Sequence, residues 1–411
     1  MNEYEEFEET YSQEEIDYLS LGKSYYENEK YEDTIDIFLE LINLNPDNYE
    51  GWHYLGMSYA QIKEYKKAIG FLLKAIEYNP EEEVEWCWLG YSYNENEQYQ
   101  EAINSLLKAV KLNPDDEYNW YWLGRSYEDN EQYKESIECL LKSVEINPNN
   151  EYNWYELGYS YNRNKQYKES IECLLKAVEL NPNNEYNWHW LAHSYFQNKQ
   201  YEEMEAALLK AVELKPDYCD CWYGLILSYK KIEDFINEIE TCKQLIKLNP
   251  DDDRGWKYLG QAYYDNKQYE EAIDYLLEAI ELNPDDEYNW YWLGCSYYKN
   301  NKHQKAIESL LKAVELNPND EYNWLWLGNS YIGLKDYNNA IKSYEKGIEI
   351  NSTNCNMLNN YGVALANLNR IEEAKKCFEK ALEIDSTYQL SKDNIDSLAS
   401  FDIEGLRISE E

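Results

Sequence analysis

His189 and His193 stand four residues apart, a spacing that puts both imidazoles on one face of a helix, and Cys219 and Cys221 follow within one further stretch. Imidazole and thiolate donors in that number are the chemistry of a zinc site. Against it, His189 takes the place that Tyr121 and Tyr155 hold in otherwise matching stretches, and nothing directs the thiols toward the imidazoles. The expectation is no metal and no cofactor. Lys230, Lys231, Arg254 and Lys257 gather in one region. Such a cluster has the chemistry to hold a carboxylate or phosphate, or it is an ordinary set of surface cations. Carboxylates are abundant but recur on faces that read as solvated. With no phosphate-binding glycine loop, no nucleophile elbow and no long stretch outside the repeating part, the chain reads as no enzyme.

The elements that must position these groups are set by the prolines. All nine lie 34 residues apart, at Pro46, Pro80, Pro114, Pro148, Pro182, Pro216, Pro250, Pro284 and Pro318. Counting each proline as position 32 defines eleven repeats over residues 15–388, the last two with Ser352 and Ser386 in that place. In the copy that begins at Glu117, Trp120, Leu123, Gly124 and Tyr127 form one stripe of a first helix. Gly124 allows close approach of a neighbour. Asn130 suits the left-handed residue that ends the helix, as do Asn28, Asn96, Asn164, Asn198, Asn266 and Asn300. Tyr133 opens a second helix with Ser136, Ile137, Leu140, Leu141 and Val144 as its stripe, and Asn147-Pro148 stops it.

Trp52, Leu55, Gly56, Tyr59, Ala68, Leu72, Ala75 and Pro80 resemble the tetratricopeptide-repeat signature, and so do Trp290, Leu293, Gly294, Tyr297, Ala306, Leu310, Ala313 and Pro318. The resemblance implies an all-α, right-handed superhelical solenoid of stacked helix-turn-helix hairpins, used as a scaffold or adaptor with ligands in the concave groove of the first helices. The family's clamp for a peptide C-terminal carboxylate is matched only in part, by Lys257 and Gln261; Trp292, Tyr322 and Trp326 fill its other places.

If positions 4, 7, 8 and 11 face the core, positions 2, 6, 9 and 13 face away from it. Position 2 holds Tyr118, Tyr152, Tyr186, Tyr288 and Tyr322; position 6 holds Tyr54, Trp88, Trp122, Trp190, Tyr258, Trp292 and Trp326. These rings suit a groove for apolar or extended peptide segments, and they equally suit padding between repeats. Arg125 and His193 at position 9, with Lys257, complete the candidate groove. The seventh repeat departs most from the pattern, with Ile226, Glu238 and Cys242 at normally conforming places.

A formal net charge of −42 sets the chain against nucleic acid and anionic membrane and toward neutral or basic protein partners. Nine cysteines without framework spacing point to a reducing cytoplasm. Residues 1–14 read as an acidic, disordered tail without signal-peptide character, and 389–411 as a capping helix with Leu390, Ile395 and Leu398 on one face, then a frayed acidic end. The expected function is a peptide-binding scaffold; the competing one is a structural protein that self-associates end to end.

Overall fold

The computed structural model describes residues 12–400 and 403–410. All regular secondary structure among them is helical, in 23 helices. The chain parts into two compact units between Lys215 and Pro216. In the first, twelve helices pair into six hairpins between Gln13 and Leu214; in the second, ten helices form five hairpins between Cys219 and Ile384, followed by the helix Gln389–Ala399. Within each unit, a second helix packs on its own first helix and on the first helix of the next hairpin. No described helix is long and apolar enough to cross a membrane.

One hairpin shows why the sequence folds this way. Asp116 caps the helix Glu117–Asp129 by accepting the Tyr118 N–H at 2.8 Å. At the other end the left-handed residue is not Asn130, whose φ is −87°, but Glu131, whose φ is 59°. Glu131 donates to the Glu128 carbonyl and Gln132 to that of Tyr127, each at 2.8 Å, the reversal that ends many helices. The asparagine instead donates from its side chain to Gln132 Oε1 at 2.8 Å. The same shift by one residue holds in all eleven hairpins, from Glu29 to Asn369.

Leu140 of the helix Tyr133–Ile146 is fully buried, and a Cβ on Gly124 would lie 2.6 Å from its Cγ. Leu141, expected in the same stripe, is 43 % exposed, as its counterparts Leu107 and Leu175 are nearly to the same degree. The position-4 tryptophans are also not central core. They are half-buried, and each donates its indole N–H to the carbonyl of the proline six residues earlier, at 2.7–2.9 Å. Nine prolines thus meet nine tryptophans. Where Ser352 replaces proline, Leu358 replaces tryptophan.

The two chain ends differ from expectation. The first helix begins at Gln13 with a reciprocal cap between Ser12 and Glu15, so residues 12–14 belong to the first hairpin. The rest of the expected acidic tail lies outside the described residues. At the C-terminus Ile395 and Leu398 pack on the last core, but Leu390 lines a cavity with Ile408. Residues 406–410 are not frayed: buried asparagine amides hold their main chain against the first helices of the second unit.

Candidate functional site

Positions 3, 7, 8 and 10 of the first helices are buried, as Asn119, Leu123, Gly124 and Ser126 show. Positions 2, 6 and 9, here Tyr118, Trp122 and Arg125, share a face that stays partly open through most of the first unit, whereas Cys295 and Trp326 in the second are buried. In the first unit that face opens into three cavities. Tyr54 lines the one nearest the N-terminus, beside Lys23 and His53, where Glu85 accepts from both Tyr49 and His53.

The second cavity, of about 520 Å³, has four rings in its wall, Trp88 and Tyr91 from one first helix and Tyr118 and Trp122 from the next, with Glu83, Glu95 and Asp116 beside them. Trp122 meets Tyr91 edge to face at 4.6 Å, while Tyr118 stands 60 % exposed at the rim. Arg125 lies over the Trp122 ring at 5.6 Å and turns its guanidinium toward Glu156, 3.5 Å away. It thereby separates the aromatic cavity from a third one of about 470 Å³, lined by Tyr152, Trp190, Glu128, Asp129 and Glu156.

The three carboxylates of this third cavity outnumber Arg125, which also lines it, and Arg163, which lies 3.8 Å from Glu128. Burial pushes the Glu128 carboxyl up to about 7, Asp129 and Glu156 add to the rise, and Arg163 and Arg125 oppose it. Burial also raises Glu156, against the pull of Arg125. Trp190 is edge-on to Tyr159 at 4.5 Å, with His193 at 5.1 Å; burial lowers the His193 pKa.

In the second unit Tyr288, Trp292 and Tyr322 line a cavity together with Asp320. Tyr258 packs on Tyr223 instead, at 5.6 Å. The basic cluster is not an open anion site. Lys257 binds Asp286 at 2.6 Å, Lys230 binds Asp265 at 2.7 Å and Arg254 binds Asp252 at 2.7 Å. Three of the four cations thus meet a carboxylate, and Lys231 is exposed. Trp326 is 5 % exposed, with Tyr298 edge-on at 5.4 Å and Lys299 over its ring at 5.6 Å.

The position-6 rings therefore serve two ends. Tyr54, Trp122, Trp190, Trp292 and Trp326 each meet a ring of the preceding repeat edge to face. All but Trp326 keep part of their surface open. Sequence reasoning missed Glu128, and with it the tyrosines Tyr264 and Tyr298 that meet Trp292 and Trp326. Glu128, Tyr264 and Tyr298 all sit at position 12, three residues beyond position 9 and so on the same helical face, a signal the sequence did carry. Among the described residues no three His, Cys, Asp or Glu side chains converge to hold a metal ion.

Tetratricopeptide-repeat family models match residues 49–82, 153–184, 186–218, 254–286, 289–320, 323–354 and 356–388, together more than half of the chain. A model of the anaphase-promoting complex, cyclosome, subunit 3, matches 71–143, and one of the protein prenyltransferase alpha subunit repeat matches 31–60. No curated protein matches the sequence. Among solved structures, the hetero-tetramer of Cut9 and Hcn1 aligns over 93 % of this chain and 96 % of that one, at 14 % identity and a TM-score of 0.46. Yeast Tom70 aligns over 95 % and 96 %, at 13 % identity and 0.45. YrrB, described as a TPR protein with an unusual peptide-binding site, aligns over 44 % and 92 %, at 23 % identity and 0.40. With its repeat matches, its 34-residue period and its helical hairpins, the chain belongs to the tetratricopeptide-repeat family.

Proposed function

We propose that the protein is a non-catalytic scaffold that holds an extended segment of a partner protein along the face of its first helices. The observation that carries this reading is the aromatic cavity of Trp88, Tyr91, Tyr118 and Trp122 beside the acidic cavity of Glu128, Asp129 and Glu156. The first suits a large apolar side chain, since tyrosine and tryptophan bury much area at small entropic cost. The second, where three carboxylates outnumber Arg125 and Arg163, favours lysine or arginine one repeat further on. A net charge of −42 draws basic segments from a distance and turns away nucleic acid and anionic membrane. Nine free thiols fit a reducing compartment such as the cytoplasm.

Selection of a displayed random peptide library on the full chain tests the reading. Enriched peptides should pair an aromatic or large aliphatic residue with Lys or Arg, and should lose affinity as salt rises. Enrichment of acidic or featureless peptides would sink it. End-to-end stacking, the competing function, would show in light scattering as a mass above 49.3 kDa that grows with concentration.

A further inference from the structure

After the helix Gln389–Ala399 the chain turns at residues 403–405 and runs back along the first helices of the second unit, toward earlier repeats. Asn394 and Arg407 exchange both possible bonds: the Arg407 N–H donates to Asn394 Oδ1 at 2.9 Å, and Asn394 Nδ2 donates to the Arg407 carbonyl at 2.8 Å. Two residues on, the Ser409 N–H donates to Asn360 Oδ1 at 2.7 Å and Asn360 Nδ2 returns a bond to the Ser409 carbonyl at 2.9 Å. Asn359 and Asn329 add second bonds to those same two carbonyls, at 3.0 and 3.2 Å.

Asn360 and Asn394 stand 34 residues apart, both at position 6, so one repeat advances the bound chain by two residues. Alternate residues of an extended chain present N–H and C=O to the same side, which is what this pairing requires. All four asparagines are at most 1 % exposed. A buried primary amide is costly unless its donors and acceptor are met. Asn329, Asn359, Asn360 and Asn394 meet that demand through one another, Ser391, Tyr344 and the passing main chain.

Side chains add a pattern to this main-chain grip. Leu406 and Ile408 are half-buried on the core of the last hairpins, Arg407 is exposed, and Ser409 is buried. Glu410 accepts from Lys299 at 2.9 Å and from the Tyr298 hydroxyl at 3.2 Å.

We propose that this end of the groove is a recognition site for an extended main chain, that Leu406–Glu410 is its resident occupant, and that a partner binds by displacing it. The displacing segment carries two apolar side chains at alternate positions, then a small residue and a carboxylate. Its chemistry differs from the basic segment proposed for the first unit. The two readings fail separately, because they are tested by residues in different units. Few residues tether the tail to its helix, so it competes at an effective concentration on the order of millimolar. Partners of weaker affinity are kept out.

The test uses a labelled synthetic peptide with the sequence of residues 403–410, IEGLRISE, and the full chain. Leu406→Asp with Ile408→Asp should release the tail and lower the apparent Kd for the peptide at least tenfold relative to the unmodified chain. Adding Asn360→Ala and Asn394→Ala should remove that gain. Equal binding to the unmodified and released chains, or no binding to the released chain with its helix content intact, would overturn the proposal. So would a dimer that the tail substitutions dissociate, which would place the tail on a second copy. Amide exchange of the unmodified chain is an independent measurement: the Arg407 and Ser409 amides should be protected at least tenfold, and exchange at unstructured rates overturns it too.

Discussion

Glu128 is a carboxyl of the third cavity whose chemistry departs from the ordinary. Its pKa, raised by burial to about 7, lies well above the value it takes in an unfolded chain. The folded form therefore holds a proton that the unfolded form releases, and its contribution to stability is present at low pH and lost as pH rises through about 7. The melting temperature should fall between pH 5 and pH 8, and Glu128→Gln should flatten that fall; identical pH profiles for the two proteins would count against the buried carboxyl. A basic peptide in this cavity should bind more tightly as Glu128 ionises. The residue scale was partly legible in the sequence. Each indole stands six residues beyond its proline, so the pairing could be read from spacing alone. The left-handed residue could not, since Glu131, Lys165 and Asn301 share no side-chain feature that marks the position.

The hairpin is held by a close approach between its two helices, and two glycines should respond oppositely to substitution. Gly124→Ala places a methyl group 2.6 Å from Leu140 Cγ and should destabilise by about 1–3 kcal/mol in urea unfolding. Gly70 lies within the helix Tyr65–Tyr78 with open space around it, so Gly70→Ala should stabilise by about 0.5–1 kcal/mol. Equal effects would mean that helix propensity, not contact, decides both. Helix boundaries were legible because a 3.6-residue stripe and a pre-proline residue are strong local signals. The docking of residues 406–410 was not. Asn360 and Asn394 fall at position 6, where the repeat pattern leads one to expect a ring, and only the fold shows that they stack one repeat apart under a returning chain.

At the scale of the molecule, each repeat contacts mainly its neighbours, so stability is close to a sum of hairpin and interface terms. Superimposed on that sum is the repulsion of a chain with net charge −42. Raising sodium chloride from about 10 mM to about 500 mM should raise the melting temperature, because the screening length shrinks from about 30 Å to below 8 Å. A fall would show that the ion pairs of Lys257 and Lys230 outweigh the repulsion. The same screening should weaken any basic peptide.

On the proposed function, the aromatic rings at position 6 of the first unit bind, while those at position 4 hold the fold. The direct measurement is paired unfolding and calorimetric titration of Trp122→Ala and Trp120→Ala with a peptide selected on the intact chain. Trp122→Ala should weaken binding at least tenfold and cost less stability than Trp120→Ala, which loses the bond to Pro114. Trp120→Ala, where it stays folded, should bind nearly as the intact chain does. Equal loss of stability in both variants, with binding unchanged in Trp122→Ala, would overturn this division of roles.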